Sequence, residues 1–413
     1  MTRECRGGKL RIVIVGNNVA GTTLAKGLRD ASSSAEIDIY TDESIPYYPR
    51  PRLVDYLIGR YDQTGMPFYP PDWYEKNRLT LHLDSKVEKL DPTAKRILVN
   101  GAWESYDKLA LCTGSSSFVP PFKGLPKERV FTLRTFQDAK DIKSTAGSSV
   151  HAIVIGGGLL GLEAARGVCT AFPSLRVTIL EYAEHLLMRQ LDHTGAELLK
   201  KWIEGTGANV VTQAETVEIL GDETVTGVRL KDGRVIEGDM VIVSAGTRAN
   251  VQLAKDAGLK VNKGIIVDSR LQTSDPNIYS LGDVCEFQGV VWAMIPPALD
   301  EAKVAANSIL GIRGPDYQGT VPSNTLKVVG FDLTSIGTIR GAHEPPDPAF
   351  QEVMALSSDG KVYKRFVTKD DRLIGAILLG TKKDSLKISK MIKEGTPLGP
   401  IKEHLTDPSY VLP

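Results

Sequence analysis

The sequence predicts an α/β chain. A strand, glycine loop and helix of the doubly wound type is used twice, and a C-terminal α+β segment follows. Three observations carry that reading. An apolar, β-branched run enters Gly16-Asn-Asn-Val-Ala-Gly21, and a second enters Gly156-Gly-Gly-Leu-Leu-Gly161. The loops start 140 residues apart, which marks a duplicated fold rather than a short solenoid repeat. Downstream of both, a short buried strand ends in Ser280-Leu-Gly-Asp283, at the strand end where such sheets receive ligands.

The composition sets the outer limits. A chain of 413 residues suits two to four domains with sizeable cores. Its 42% hydrophobic and 24% charged content is ordinary for a soluble globular protein. Lysine plus arginine equal aspartate plus glutamate at 50 each, so a globally basic, nucleic-acid-binding surface is not expected. The N-terminus is polar and basic, and its first apolar run, residues 12–15, is too short for a signal peptide. No stretch approaches the roughly 18 apolar residues of a membrane span, and the expected location is cytoplasmic. The four cysteines, Cys5, Cys112, Cys169 and Cys285, are too scattered to suggest a zinc or iron–sulfur site. Cys112 and Cys169 read as small buried hydrophobes, and Cys5, in a polar tail, as exposed and incidental.

In the first unit, residues 9–16 form a buried parallel strand, a helix runs to about Arg29, and Glu36-Ile-Asp-Ile-Tyr40 is the second strand. This βαβ order sets a helix N-terminus against a pyrophosphate, with Gly16, Ala20 and Gly21 in the turn. An acid closing the second strand is expected to accept hydrogen bonds from an adenosine ribose; Asp42 aligns best and Glu43 is the alternative. The loop departs from G-x-G-x-x-G at its second glycine, which is Asn18, a residue that tolerates unusual backbone angles. Pro46-Tyr-Tyr-Pro-Arg-Pro-Arg-Leu53 is dense in proline and aromatics and reads as a rigid, packed loop. Residues 87–90, 96–99 and 104–109 alternate as antiparallel strands before Leu109-Ala-Leu-Cys-Thr-Gly114.

The second unit carries the complete fingerprint: Gly156, Gly158, Leu160 and Gly161 between a strand and an Ala-rich helix. Glu181 closes the next strand, 25 residues after Gly156. A carboxylate there binds the 2′-hydroxyl of NADH and repels the extra phosphate of NADPH, and no arginine stands beside it to reverse that preference. A β-meander with a turn at Lys231-Asp-Gly233 follows, then a buried strand, residues 240–246, returning to the first domain. After Asp283, residues 292–307 read as a loop feeding a helix. In the last segment, residues 326–333, 362–367 and 372–379 read as strands. From Lys361 onward 11 lysines or arginines face 6 acids, either a solvated face or a basic docking face for an acidic redox protein.

These motifs together resemble the two-dinucleotide-binding-domain flavoproteins of the pyridine nucleotide-disulphide oxidoreductase type. The resemblance covers nearly the whole chain. Tyr48, Arg50, Pro51 and Leu53 match a Tyr-x-Arg-Pro-x-Leu stretch of rubredoxin and ferredoxin reductases that passes beside the flavin. The Leu-Lys-Val-x-Gly-x-Asp-Leu run from Leu326 resembles rubredoxin reductases in particular. Thr113 and Gly114 match the exit motif of the FAD domain, with Cys112 in an alanine position. The resemblance implies that Asp283, next to Gly282, bonds the FAD ribitol, and that Ala298 and its neighbours touch the flavin ring. It also implies that the helix N-terminus after residue 292 stabilises negative charge on reduced flavin. Gly246 and Glu163 fall at NAD-site positions; Glu163 either faces solvent or lies near the nicotinamide. Two departures stand out. Many relatives have Ser-Lys where this chain has Val54-Asp55, and no cysteine lies between Cys5 and Cys112, which argues against thiol chemistry at the flavin.

The implied organisation is an FAD domain from residues 1–118 and 246–320, an NAD domain inserted at 119–245, and a C-terminal interface or acceptor-docking domain at 321–413. The implied activity is an FAD-containing, NADH-linked reductase passing electrons to an iron–sulfur partner of rubredoxin or ferredoxin type. Three rivals stand beside it. One is an electron-transfer subunit of a larger anaerobic complex, such as a phenylglyoxylate-type 2-oxoacid dehydrogenase, with iron–sulfur subunits as partners. The others are an NADH oxidase and a non-enzymatic nucleotide sensor. Homo- or hetero-oligomers are both compatible with the sequence.

Overall fold

A computed structural model describes residues 9–321, 323–328, 331–339, 347–407 and 409–412. Cys5, and Val329 and Gly330 of the rubredoxin-reductase-like run, lie outside the described residues. The described chain divides into two compact units. The first holds the chain up to Arg52, Asp62–Ser116 and Thr247–Thr320; the second holds Leu53–Tyr61, Ser117–Gly246 and the chain from Val321. The segments expected to bind NAD and to form the C-terminal domain thus share one unit.

In the first unit, five parallel strands lie in the order Ile278–Ser280, Lys108–Leu111, Arg11–Val15, Glu36–Tyr40, Thr80–His82. The central strand has both faces covered, and Ile12, Val13 and Ile14 are fully buried, as its unbroken apolar run requires. The helix Val19–Ala31 packs on it, and the helix Ile295–Ile309 shares its core through Ala298, Ala302, Ala305 and Ala306. Small residues on both helices permit that close approach.

Arg29 closes the C-terminal end of the first helix. Its guanidinium donates to the carbonyls of Asn77, Ser32, Ser33, Ala35 and Arg78 at 2.8–3.1 Å. All five donors of a rigid fork are thereby used on backbone oxygens with no helical partner of their own.

A separate antiparallel sheet is formed by Val87–Asp91, Arg96–Val99 and Ala102–Ser105. The expected strand at 104–109 is therefore two elements. Ala102–Ser105 ends in this sheet, and Lys108–Leu111 turns into the parallel sheet between Arg11–Val15 and Ile278–Ser280.

The second unit repeats the parallel design: Asn209–Val211, Arg176–Leu180, His151–Ile155, Met240–Val243, Val130–Phe131. Met240–Val243 belongs to this sheet, and the chain enters the first unit only from Thr247. The turn at Lys231–Gly233 joins antiparallel strands as expected, with Gly233 in the left-handed region at φ 89°. The short helix Arg52–Leu57 places Val54 and Leu57 against Gly167, where an added Cβ would lie 3.2 Å from each.

The C-terminal segment forms an antiparallel sheet in the order Ser323–Val328, Phe331–Gly337, Arg372–Leu379, Tyr363–Lys369, Phe350–Leu356. The strand Phe350–Leu356 and the helix Ser385–Glu394 were not evident from the sequence pattern. The sheet is tied to the rest of its unit at Asp192, the N-cap of the helix His193–Glu204. The buried Tyr363 hydroxyl donates to Asp192, and the buried Arg365 pairs with Glu352 at 2.7 Å.

Replacing Arg29 by alanine leaves several carbonyls at one corner of the first sheet without donors. The expected loss of stability is roughly 2–4 kcal/mol, read by chemical denaturation, with little recovery in Arg29→Lys because an ammonium cannot span five acceptors.

Candidate functional site

The two glycine loops solve the same packing problem with the same atoms. At Gly16 the backbone is left-handed, φ 115°, and an added Cβ would sit 2.0 Å from the Cys112 carbonyl oxygen. At Gly156 the values are 116° and 2.2 Å from the Ser244 oxygen. Gly21 and Gly161 each present their missing side chain to the carbonyl of the loop's first glycine, at 2.0 Å. Only glycine allows the helix to start this close to the strand.

The loops differ at the second position. Asn18 has φ −114° and ψ −170°, ordinary extended backbone, so tolerance of unusual angles is not why asparagine stands there. Its side chain is the reason. Asn18 Oδ1 accepts from the amides of Ala20 and Gly21 at 3.0 and 3.3 Å, and Asn18 Nδ2 donates to the Cys112 carbonyl at 2.6 Å. The asparagine caps the helix and fastens it to the neighbouring strand end. Gly158, its counterpart, makes no side-chain cap, and space is open where its Cβ would be.

Around the first loop the chain gathers Gly114, Gly282, Asp283 and Ala298. Gly114 and Gly282 are left-handed, at φ 66° and 81°. An added Cβ on Gly282 would lie 2.8 Å from Ala20 Cβ, which brings the Gly-Asp turn onto the helix N-terminus. The Asp283 carboxylate accepts from Ser115 Oγ at 2.8 Å. Thr113 Oγ1 donates to the Asn250 carbonyl at 3.0 Å, and Asn250 Nδ2 returns a bond to the Thr113 carbonyl at 2.8 Å. Ala298 is buried in the helix–helix core.

The acids after the second strand separate in role. Asp42 is exposed, whereas Glu43 pairs with Arg50 at 2.6 Å and accepts from Tyr48 Oη at 2.6 Å. Register sharpens the comparison. Gly16 and Gly156 each donate to the last strand residue, Tyr40 and Leu180, so the position equivalent to Glu181 is Thr41. Pro51 is exposed, and the Tyr48–Leu53 stretch is divided between the units after Arg52.

In the second unit Glu181 bends back over its glycine loop. Its carboxylate accepts from Gly157 N at 2.6 Å and Ala183 N at 2.7 Å. Leu160 is 39% exposed at the start of the helix, and Gly246 is left-handed at φ 99° with open space beside it. Glu163, on the same helix, is partly buried. Burial pushes its carboxyl up to about 7; Arg166 opposes that rise and Asp55 adds to it. The position that many relatives fill with lysine is thus a second acid, tied to Arg60 at 3.1 Å. A lysine reaches the same short helix from elsewhere: Lys143 Nζ donates to the Tyr56 carbonyl at 2.9 Å.

Sequence reading missed Ser115, Asn250, Asn17 and Glu301. Asn17 was legible as part of the loop. Ser115 and Asn250 are joined to the site only by folding, across 168 and 137 residues. Glu301 accepts from Gly282 N at 2.7 Å and is 2% exposed. Cys112 and Cys285 are buried, and burial pushes both thiols up.

These residues fit an acceptor-rich dinucleotide. Asn17 Nδ2, in the first loop, and Trp292 Nε1, before the helix Ile295–Ile309, are buried donors with no hydrogen-bond partner. Such groups call for an acceptor. The second loop offers an uncapped helix N-terminus beside a fixed carboxylate, the arrangement that takes a pyrophosphate and a ribose.

Comparison with known proteins agrees. Residues 10–308 match the family model described as pyridine nucleotide-disulphide oxidoreductase. The chain belongs to that family. It is accordingly an FAD- and NAD(P)-dependent flavin oxidoreductase. Residues 322–396 match the rubredoxin NAD+ reductase C-terminal domain. The chain is 34% identical over 389 residues to a nitrite reductase [NAD(P)H] of Bacillus subtilis, covering 94% of this chain and 48% of that protein. It is 32% identical over 402 residues to the assimilatory nitrate reductase electron transfer subunit of the same organism, covering 97% and 51%. The chain thus spans about half the length of these curated relatives. Among solved structures, NADH:rubredoxin oxidoreductase from Clostridium acetobutylicum superposes with a TM-score of 0.77 at 26% identity, covering 95% of this chain and 97% of that one. Among the described residues no helix is long and apolar enough to cross a membrane.

Two outcomes test this geometry. Gly161→Ala is expected to cost more than about 2 kcal/mol in thermal or urea unfolding, because its Cβ meets backbone. Gly158→Ala is expected to stay within about 1 kcal/mol while weakening dinucleotide binding, measured by fluorescence titration. For Glu163, a folded value near 7 against 4.5 means its stabilisation is complete below about pH 4.5 and is lost as pH rises through about 7. Glu163→Gln is expected to flatten part of that decline in urea midpoints between pH 5 and 8.

Proposed function

We propose that this flavoprotein is an NADH-dependent reductase that passes electrons to an iron–sulfur redox protein of the rubredoxin or ferredoxin type. The observation that carries the donor assignment is Glu181. Its carboxylate, pinned by two amides beside an uncapped helix N-terminus, is an acceptor for ribose hydroxyls and repels a 2′-phosphate. When bound, FAD supplies the hydride acceptance and one-electron release that no side chain can perform. The protein's own residues bind and orient. Gly16, Asn17 and Gly21 would receive the FAD pyrophosphate, with Asn18 holding the helix cap. Gly282 and Asp283 would hold the ribitol, with Ser115 fixing the carboxylate. Gly156, Gly158, Leu160 and Gly161 would receive the NADH pyrophosphate, with Glu163 near the nicotinamide and Gly246 lining the site.

The iron–sulfur acceptor is supported by the rubredoxin-reductase C-terminal match and by the lack of a cysteine between Cys5 and Cys112. Exposed Lys382, Lys383, Lys387, Lys390 and Lys393, on or beside the helix Ser385–Glu394, suit an acidic partner. A second reading, an electron-transfer component of a larger assembly, is favoured by the half-length coverage of the nitrite and nitrate reductase relatives.

Anaerobic absorbance titration is the test. NADH is expected to bleach the flavin band and NADPH to do so only at much higher concentration. Glu181→Ala is expected to weaken NADH binding roughly 10- to 100-fold, the worth of hydrogen bonds to a charged group, with a smaller effect on NADPH. Equal losses for both nucleotides would remove Glu181 from the specificity role. Rapid rubredoxin reduction by the chain alone favours the first reading; bleaching without transfer favours the second.

A further inference from the structure

The first site contains a carboxyl group that the dinucleotide reading does not use. Glu301 lies two turns into the helix Ile295–Ile309 and is 2% exposed. Its Oε2 accepts from the Gly282 amide at 2.7 Å, so it holds the backbone of the Gly-Asp turn from behind. Gly282 itself touches Ala20 in the first turn of the phosphate-loop helix. Glu301 is thus linked through Gly282 to the first turn of that helix.

The neighbours of Glu301 are acidic or neutral. Asp283 and Cys285 face it from the turn and the strand that follows, Cys112 from the end of the adjacent strand, Asp300 from its own helix, and Tyr317 from the segment beyond. Arg50 interacts with Asp283 electrostatically. Burial is the main cause that pushes the Glu301 carboxyl up to about 7; Asp283 adds to it and the Gly282 amide opposes it.

A line of hydroxyls leads outward. Tyr317 hydrogen-bonds Glu301, Tyr317 Oη lies 2.9 Å from Thr320 Oγ1, and Thr320 Oγ1 donates to Asp300 at 3.2 Å. A hydroxyl carries one proton. Thr320 gives its proton to Asp300 and so accepts from Tyr317. The Tyr317 hydroxyl opposes the rise that burial gives the Glu301 carboxyl.

We propose that Glu301 is a proton-binding positioning residue of the FAD site, which holds the Gly282–Asp283 turn and takes up a proton when FAD binds. The inference rests on FAD occupying the first site. A diphosphate at the phosphate loop adds negative charge beside a turn already bearing Asp283 and excludes water from it. Both effects disfavour a second carboxylate behind the turn. By linkage, FAD then binds more tightly at low pH and more weakly as pH rises above the free protein's titration.

The experiment is FAD titration of the apoprotein between pH 6 and 8.5, followed by quenching of flavin fluorescence, together with proton uptake in weak buffer with an indicator dye. The expected result is a Kd that rises by up to about tenfold per pH unit above pH ~7, with uptake of up to one proton per FAD near pH 8. In Glu301→Gln, a neutral side chain that still accepts from Gly282 N, Kd is expected to be flat and the uptake absent. A pH-independent Kd with no proton uptake in the unsubstituted protein would overturn the inference, and so would an unchanged slope in Glu301→Gln. Uptake is read on the unsubstituted chain, so the outcome stands even if the variant folds poorly. Failure to bind FAD at any pH would instead overturn the assignment of the first site.

Discussion

The contact on which both nucleotide units depend is the approach of a helix to a strand end at a glycine with no room for a Cβ. In each loop the last glycine faces the carbonyl of the first, and the first faces the carbonyl of a neighbouring strand end. These contacts set the height of the helix above the sheet. That height decides whether the first-turn amides point into open space or into protein. Everything that makes a site, including the acid after the second strand and the Gly-Asp turn against Ala20, is placed relative to that helix N-terminus.

Duplication of one fold has not meant duplication of one site. The second loop leaves its helix uncapped and its central glycine free, and a carboxylate reaches back to the loop amide. The first loop caps its helix with Asn18 and anchors that side chain to the Cys112 carbonyl. Two of its amides are therefore satisfied before any ligand arrives, while Asn17 keeps a buried donor unpaired. The acid expected to bind ribose is displaced as well. Thr41 stands at the equivalent register, and Glu43 is engaged with Arg50 and Tyr48.

Among the described residues each unit also holds a carboxyl that burial pushes up to about 7, the partly buried Glu163 in the second and the buried Glu301 in the first. Desolvation is the leading cause for both. A desolvated carboxyl near neutrality responds to small changes in local charge, which is what binding an anionic dinucleotide imposes. Asp55, in place of the lysine that many relatives carry, moves the surroundings of Glu163 in the same direction as burial does.

By itself the sequence determined the class, the duplication and the family. Gly16, Gly21, Gly156, Gly161 and Gly282 were legible because each answers a local demand, a left-handed angle or a missing Cβ, that no other residue meets. Glu181 was legible because its spacing from the glycine loop is a property of one βαβ unit. Only the tertiary structure decided what depends on contacts across long stretches of chain. The partnership of Asp283 with Ser115, the exchange of bonds between Thr113 and Asn250, and the clamp of Arg29 on Asn77 and Arg78 leave no periodic trace. The role of Asn18 was likewise hidden, since a capping bond and an extended backbone are invisible in a letter that merely breaks a motif. Glu301 was hidden most fully. On a helix rich in alanine it reads as an ordinary polar residue, and only the packing of that helix against the Gly282 turn makes it a buried acid.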